Sequence, residues 1–433
     1  MRRLEDWNAS ELDALLESYG SPLYVLDVER VRENARRLAD AFPDADVLYA
    51  LKANALGDVL ETVVNEGVGL ECASAGELHR ALEAGASGEE VHYTAVNPPA
   101  TDLDYVVEQW RAEPELTVTA GSVDTIDRLA ERGYDGRLCL RVNPGIGAGH
   151  HEKVRTGANA KFGVPAERAV DVLSDAADRG FDVVGVHAHV GSGVSGDALE
   201  SHREFVSRMG EIARSVSDAV GGLEFVDVGG GFGVPYREEE APLNLEAVAE
   251  ATRSALEKID ATLTIEPGRY FVADAGVLLT HVNTVKEARE TTVVGTDAGM
   301  TTLLRPAMYD SYHPIRNVTA ELVDEDRAVD EQTVAGPICE SSDVFCTDRP
   351  FASSERGDVL AIGNAGAYGY EMASQYNSRP RPASVVVETG TGTGETAASD
   401  AIGCGSPGWA ADARLSRRRE SMEDVVRPEE LDR

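Results

Sequence analysis

Val47-Leu48-Tyr49-Ala50-Leu51-Lys52-Ala53 is an apolar run of strand length that carries a single lysine. Similar short apolar runs recur at residues 69–73, 91–95, 116–120, 138–142, 183–190, 224–228 and 262–266. The segments between them carry helical periodicity. Ser122 is a candidate cap, with Val123, Ile126 and Leu129 on one face and Gly133 at the end. Asp197 is another, followed by Leu199, His202, Phe205, Met209 and Ile212 on one face. Eight such βα units are what a (β/α)8 TIM-type barrel requires. A doubly wound sheet has the same period, so the period alone leaves both open.

The pattern differs on either side of this span. Upstream, Ser10-Glu11-Leu12-Asp13 reads as a helix start that Gly20 closes, and residues 22–26 read as a strand. Downstream of about residue 275, strand-like runs at 291–294, 332–334 and 358–362 alternate with glycine and proline, as in a mostly β domain. The expected organisation is therefore a helix and strand at 1–27 that join the β domain, a barrel at 28–275, and a mostly β domain at 276–433. Residues 389–413, rich in small and polar side chains, read as a flexible insertion.

With 433 residues and 42% hydrophobic composition, the chain can bury two cores. No apolar run reaches the roughly 20 residues that span a bilayer, and no apolar stretch follows the arginines at the N-terminus, so neither a membrane span nor a signal peptide is expected. Cys72, Cys139, Cys339, Cys346 and Cys404 are scattered without a CxxC pair, which fits a reduced cytoplasm and gives no metal site. The net charge of −36 disfavours nucleic acid and anionic membrane as partners. The 40 basic residues include only five lysines, and acidic excess with lysine depletion reads as adaptation to high salt. An ordinary acidic enzyme is the plainer alternative.

Four clusters carry chemistry. Lys52 inside an apolar strand is costly unless neutralised or paired, and a Schiff base with an aldehyde would remove its charge; an edge lysine snorkelling to solvent fits the strand equally. Gly229-Gly230-Gly231 follows the seventh run, where barrels commonly hold phosphate, although a glycine-rich turn needs no ligand. Glu266-Pro267-Gly268-Arg269 ends the eighth, and its carboxylate suits either a pyridine nitrogen or an internal pair with Arg269. His187 and His189, two apart on the sixth, share a face, and Ser192 follows them. All four fall at C-terminal strand ends, where barrel active sites form.

Taken in order, Tyr49–Asn54, Glu71–Leu78, His189–Ser192, the glycine triplet and Glu266–Arg269 resemble the alanine-racemase-fold, pyridoxal-phosphate-dependent decarboxylases. Leu304–Asp310, Gly336–Asp343 and Gly366–Gly369 are similar to the diaminopimelate decarboxylase branch, and Cys339-Glu340-Ser341 discriminates most against the ornithine and arginine branches. Residues 93–99 depart from the family pattern.

The resemblance implies pyridoxal 5'-phosphate on Lys52, with Glu266 at the ring nitrogen, His189 stacked on the ring, and Ser192, Gly229, Gly230, Gly231 and Tyr368 at the phosphate. Pro267, Gly268 and Arg269 complete the cofactor loop. Arg269, Arg305, Tyr309, Glu340 and Tyr368 would hold the far end of meso-2,6-diaminopimelate. Cys339 would return a proton, from the partner subunit of a homodimer with shared sites, although a buried core thiol is the commoner fate of cysteine. L-lysine and carbon dioxide would be the products, in the cytoplasm. Another basic amino-acid decarboxylase is the nearest alternative, and a non-catalytic cofactor-binding relative the next.

The charge generates one prediction. The thermal midpoint is expected to fall when molar potassium chloride is diluted away. Equal midpoints in low and molar salt would count against salt adaptation.

Overall fold

The computed structural model describes residues 1–146, 161–189, 191, 199–257, 259–289, 291–323, 326–390 and 408–429. The chain divides into two compact units. One comprises Asn34–Pro235 and Ala241–Phe271; the other comprises Met1–Glu33, Tyr236–Glu240 and Val272–Arg433.

In the first unit, strands Ala45–Ala50, Gly69–Cys72, Val91–Tyr93, Thr117–Ala120, Arg137–Asn143, Asp182–His187, Phe225–Asp227 and Thr262–Ile265 each pair in parallel with the next. The eighth pairs back onto the first, Leu263 opposite Ala45 and Ile265 opposite Val47. The sheet is therefore a closed (β/α)8 barrel. A doubly wound sheet would leave those two edges unpaired. Gly69–Cys72 and Thr117–Ala120 are buried along their whole length, as parallel strands covered on both faces must be.

The helices follow their caps. Ser122 accepts a hydrogen bond from the Thr125 amide at 3.1 Å, Ile126 and Leu129 are buried, and Gly133 turns the chain at φ 74°. Helix Leu199–Val220 buries His202, Phe205, Met209 and Ile212, as its periodicity predicts; Asp197 lies outside the described residues. Two strands end earlier than the apolar pattern suggests. Lys52 lies not in a strand but in the 3-10 turn Leu51–Ala53, and His189 lies beyond the strand that ends at His187. At the mouth, register ends at Ala50 opposite Glu71 and His187 opposite Asp227. Past His187, the Ala188 amide still meets the Asp227 carbonyl at 3.0 Å.

The second unit is built on a mixed sheet. Leu23–Asp27 lies between Gly276–Glu287, antiparallel, and Ala383–Val387, parallel. Thr292–Thr296, Val329–Ala335 and Val344–Ala352 extend one side, and Arg414–Arg417 closes the other. The strand expected near Tyr24 thus joins the β-rich unit. Helix Ala9–Tyr19 packs Leu12, Leu15 and Leu16 against Val25, Val277, Leu279 and Val385. Its cap is Asn8 rather than Ser10: the Asn8 side chain accepts the Glu11 amide at 3.2 Å, which leaves Ser10 inside the first turn.

Of the insertion expected at 389–413, residues 391–407 lie outside the described residues. Trp409–Asp412 forms a 3-10 turn, with the Trp409 ring edge-on to Trp7 at 5.9 Å and the Ala410 amide bonded to Glu11 at 2.6 Å. One tryptophan gives a segment of small residues the apolar area to dock. Among the described residues, no helix is long and apolar enough to cross a membrane.

Leu12 is fully buried against both helix and sheet neighbours. Leu12→Ala is expected to destabilise this unit by about 2–5 kcal/mol, the range for a buried leucine whose cavity refills poorly. Denaturant unfolding would read the change, and a difference within about 0.5 kcal/mol would mean that this helix is not part of the core.

Candidate active site

The barrel's C-terminal mouth gathers charged groups in a nearly dry setting. The amine of Lys52 donates to Oε2 of Glu71 on the second strand. The lysine side chain is 43% exposed and the Glu71 side chain only 2%. Burial pushes the Glu71 carboxyl up to about 7, against the attraction of Lys52, and the nearby charge of Glu266 adds to the rise.

Glu266 follows the eighth strand and is also buried. Its Oε2 lies 3.1 Å from Nε2 of His187, while its Oε1 is buried without a hydrogen-bond partner among the described residues. Burial alone would raise its pKa, but His187 and Lys52 outweigh that and hold it well below the usual carboxylate range. Asp227, at the end of the seventh strand, lies beside the same two residues: His187, Asp227 and Glu266 each offer an atom within 4.8 Å of the others. Burial, with Glu266 next to it, drives the Asp227 carboxyl well up. Two buried carboxyls this close do not both ionise, so Asp227 holds the proton and Glu266 the charge.

The glycine loop works by shape as much as by its amides. A Cβ on Gly229 would sit 2.7 Å from Nδ1 of His189 and 2.8 Å from the Ala188 carbonyl; one on Gly230 would run into the Glu266 carbonyl. The Gly229 amide donates to Asp227 at 2.7 Å and the Gly230 amide to Nδ1 of His189 at 3.1 Å. Two of the three amides are thus engaged within the protein. His189 is the acceptor in its pair, in keeping with a pKa that burial, with Arg141 and Lys52 nearby, pushes down to about 3. Pro267 and Gly268 close against the Lys52 turn: the Ala50 amide meets the Pro267 carbonyl at 3.4 Å, and a Cβ on Gly268 would lie 3.0 Å from that of Ala53. Arg269 opens the short helix Arg269–Val272.

The structure therefore brings together Lys52, His189, Gly229, Gly230, Gly231, Glu266, Pro267 and Gly268 in one mouth. Ser192 lies outside the described residues. Sequence reasoning singled out neither Glu71 nor Asp227 as a site residue. Each is an acid in a fully buried strand, Gly69–Cys72 and Phe225–Asp227, and that mismatch was the available signal.

The remaining candidates belong to the β-rich unit. Arg305 is buried; its guanidinium donates to the Tyr236 hydroxyl and to Nε2 of His313, both at 2.9 Å. The Nδ1–H of His313 donates to the Gly363 carbonyl at 2.9 Å, which sets its tautomer. Arg305 opens and Tyr309 ends the short helix Arg305–Tyr309. Tyr368 sits at φ 55°, a left-handed conformation that side chains seldom adopt. Cys339 and Glu340 are exposed, and each has a partner in the turn at 376–378: Asn377 to the Cys339 sulfur at 3.2 Å, and the Tyr376 hydroxyl to Glu340.

The mouth residues fit a ligand with a ring N–H to offer the unsatisfied Oε1 of Glu266, a carbonyl carbon within reach of Lys52, and a surface flat enough to approach side-chain-free glycines. The sequence pattern described as the pyridoxal-binding domain of pyridoxal-dependent decarboxylases matches residues 28–273. The diaminopimelate decarboxylase of Methanothermobacter thermautotrophicus is 43% identical over 390 residues, covering 87% of this chain and 89% of the relative. That of Deinococcus radiodurans is 36% identical over 413 residues, covering 94% and 96%. Among solved structures, Helicobacter pylori diaminopimelate decarboxylase complexed with L-lysine superposes with a TM-score of 0.84 at 32% identity, covering 97% of this chain and 99% of that one.

Glu71 allows a pH test. Its folded pKa, about 7, stands above the ordinary 4.5, so the folded protein binds this proton more tightly than the unfolded chain. The resulting stability is complete below about pH 4.5 and is lost as pH rises through about 7. Compared with Glu71→Gln, the wild type is expected to lose on the order of 3 kcal/mol across that window. Equilibrium unfolding at several pH values checks it; a constant difference would show that Glu71 titrates normally.

Proposed function

This chain belongs to the diaminopimelate decarboxylase family of pyridoxal-dependent decarboxylases, and from that premise we propose how its own residues perform the reaction. The protein converts meso-2,6-diaminopimelate to L-lysine and carbon dioxide, the last step of lysine biosynthesis, with pyridoxal 5'-phosphate as cofactor. The observation that carries this reading is the buried Glu266 carboxylate, charged, with Oε1 lacking a donor among the described residues, at the mouth that holds Lys52.

Pyridoxal phosphate, when bound, supplies an aldehyde for the lysine amine and a ring that accepts the electron pair left as carbon dioxide departs. Lys52 holds the aldehyde carbon. Glu71 takes and returns a proton at the Lys52 nitrogen, a task that suits a carboxyl titrating near neutrality. Glu266 keeps the ring nitrogen protonated, and His187 and Asp227 keep Glu266 charged and aimed. His189 packs on the ring. Gly229 and Gly230 let the phosphate approach closely, with the Gly231 amide, Ser192 and Tyr368 as its donors.

The far end of the substrate carries an ammonium and a carboxylate. Glu340 accepts from the first; Arg269 and Arg305 grip the second, since a guanidinium binds a carboxylate through two parallel hydrogen bonds. Tyr309 adds a hydroxyl. A monocarboxylic diamine would leave this clamp unpaired, which discriminates strongly. Cys339 returns a proton to the carbon that loses carbon dioxide, from the partner subunit of a cytoplasmic homodimer. The acidic surface adapts this enzyme to high salt.

Carbon dioxide release over a panel of diaminopimelate, ornithine, arginine and lysine tests the substrate, with diaminopimelate expected to lead by orders of magnitude. Lys52→Ala should abolish turnover and the visible band that borohydride bleaches. Cys339→Ala should keep the band and slow turnover by roughly 10²-fold or more. Mixing the two variants should restore activity in hybrid dimers; no recovery despite proven exchange would mean that one subunit supplies both residues.

A further inference from the structure

Two turns of the β-rich unit meet side chain to side chain. The first carries Pro337, Ile338, Cys339 and Glu340. It is pinned by Asp343, a buried residue whose carboxylate accepts the Met300 and Ile338 amides, both at 2.6 Å. The second runs from Tyr376 to Arg379. Contacts between them run in antiparallel order: the Tyr376 hydroxyl to Oε1 of Glu340, Nδ2 of Asn377 to the Cys339 sulfur at 3.2 Å, and the Arg379 guanidinium to the Pro337 carbonyl at 3.5 Å.

The geometry of the second turn is costly and has little structural return. Asn377 and Ser378 are both left-handed, at φ 57° and φ 53°. Consecutive non-glycine residues in that region are uncommon, and such strain persists where surroundings impose it. Glycine would satisfy the backbone, yet position 377 carries an amide aimed at sulfur. These contacts are solvent-accessible, Tyr376 being 45% exposed, so they add little to folding.

We propose that Tyr376 and Asn377 are positioning residues for the reaction: Asn377 orients the Cys339 thiol and stabilises its conjugate base, and Tyr376 holds Glu340 ready for the substrate's far ammonium. This rests on the reading of Cys339 as proton donor and Glu340 as ammonium acceptor. In the donation step the S–H bond breaks, its proton forms a C–H bond at the carbon that lost carbon dioxide, and the electron pair stays on sulfur. The Asn377 N–H then faces a thiolate, and a hydrogen bond to the charged form favours that form. Water returns a proton to sulfur before the next turnover. Tyr376 donates to the Glu340 oxygen, which keeps the carboxylate oriented and leaves its second oxygen for the ligand.

The test uses holoenzyme and reads Cys339 alkylation by iodoacetamide against pH, followed by mass of the Cys339 peptide. Asn377→Gly keeps the backbone conformation and removes only the amide. It is expected to slow Cys339 labelling roughly 3- to 10-fold at neutral pH. Asn377→Asp, with an anion facing the sulfur, should slow labelling further. Tyr376→Phe should leave the alkylation profile in place and raise KM for diaminopimelate several-fold more than it lowers kcat. A profile for Asn377→Gly that superimposes on wild type, while Cys339→Ala is slow, overturns the positioning role and leaves the proton-donor reading intact. Wild-type turnover in Cys339→Ala overturns the proton-donor reading itself.

Discussion

Glu266 keeps a negative charge at a buried position, and the barrel mouth is organised around that constraint. An ionised carboxylate away from water is tolerated only when paired or hydrogen-bonded. Here His187 reaches one oxygen at 3.1 Å, Lys52 contributes its charge, and Asp227 gives way by retaining a proton. Arg141, on the fifth strand, adds a cation that feels Glu266, Glu71 and Asp227 together. Barrel closure makes this possible. Pairing of the eighth strand with the first puts the Glu266–Gly268 loop against the Lys52 turn, so residues more than 200 positions apart share one electrostatic environment.

The same closure explains the glycines. Gly229 and Gly230 lie where the seventh strand's exit crosses those of the sixth and eighth, with His189, Ala188 and Glu266 within touching distance of any side chain. Their amides are taken by Asp227 and His189. The loop is therefore a packing device first: it lets three strand ends converge, and it couples the orientation of His189 to the backbone that carries Asp227.

The β-rich unit shows how distant segments make one sheet. Leu23–Asp27 pairs with both Gly276–Glu287 and Ala383–Val387, so its core forms only after most of the chain is available. Such long-range pairing requires loop closure before contacts are gained. Asp274 marks the junction: buried, it takes the Arg30 guanidinium at 2.9 Å and the Arg2 amide at 2.9 Å, and so ties the N-terminal residues to the β-rich unit.

The eight strand–helix units were legible in the amino-acid sequence because short apolar runs and amphipathic helices repeat there, and that repeat reports local burial; closure into a barrel was not in the repeat, since it rests on the pairing of the eighth strand with the first. Lys52, Glu266, the histidine pair and the glycine triplet were legible as residues out of keeping with their surroundings. Strand ends were not, because Lys52 and His189 continue the apolar pattern after the neighbouring strands have run out of register. Nor was Gly276–Glu287, whose buried first half and exposed second half fit no single period. The pairing of Asp227 with Glu266, and of Asn377 with Cys339, depends on which chain segments closure and sheet pairing bring side by side. Sequence fixes what each residue can donate, accept or bury; tertiary structure chooses its partner, because charge and hydrogen bonding act through space over a few ångströms and take no account of separation along the chain.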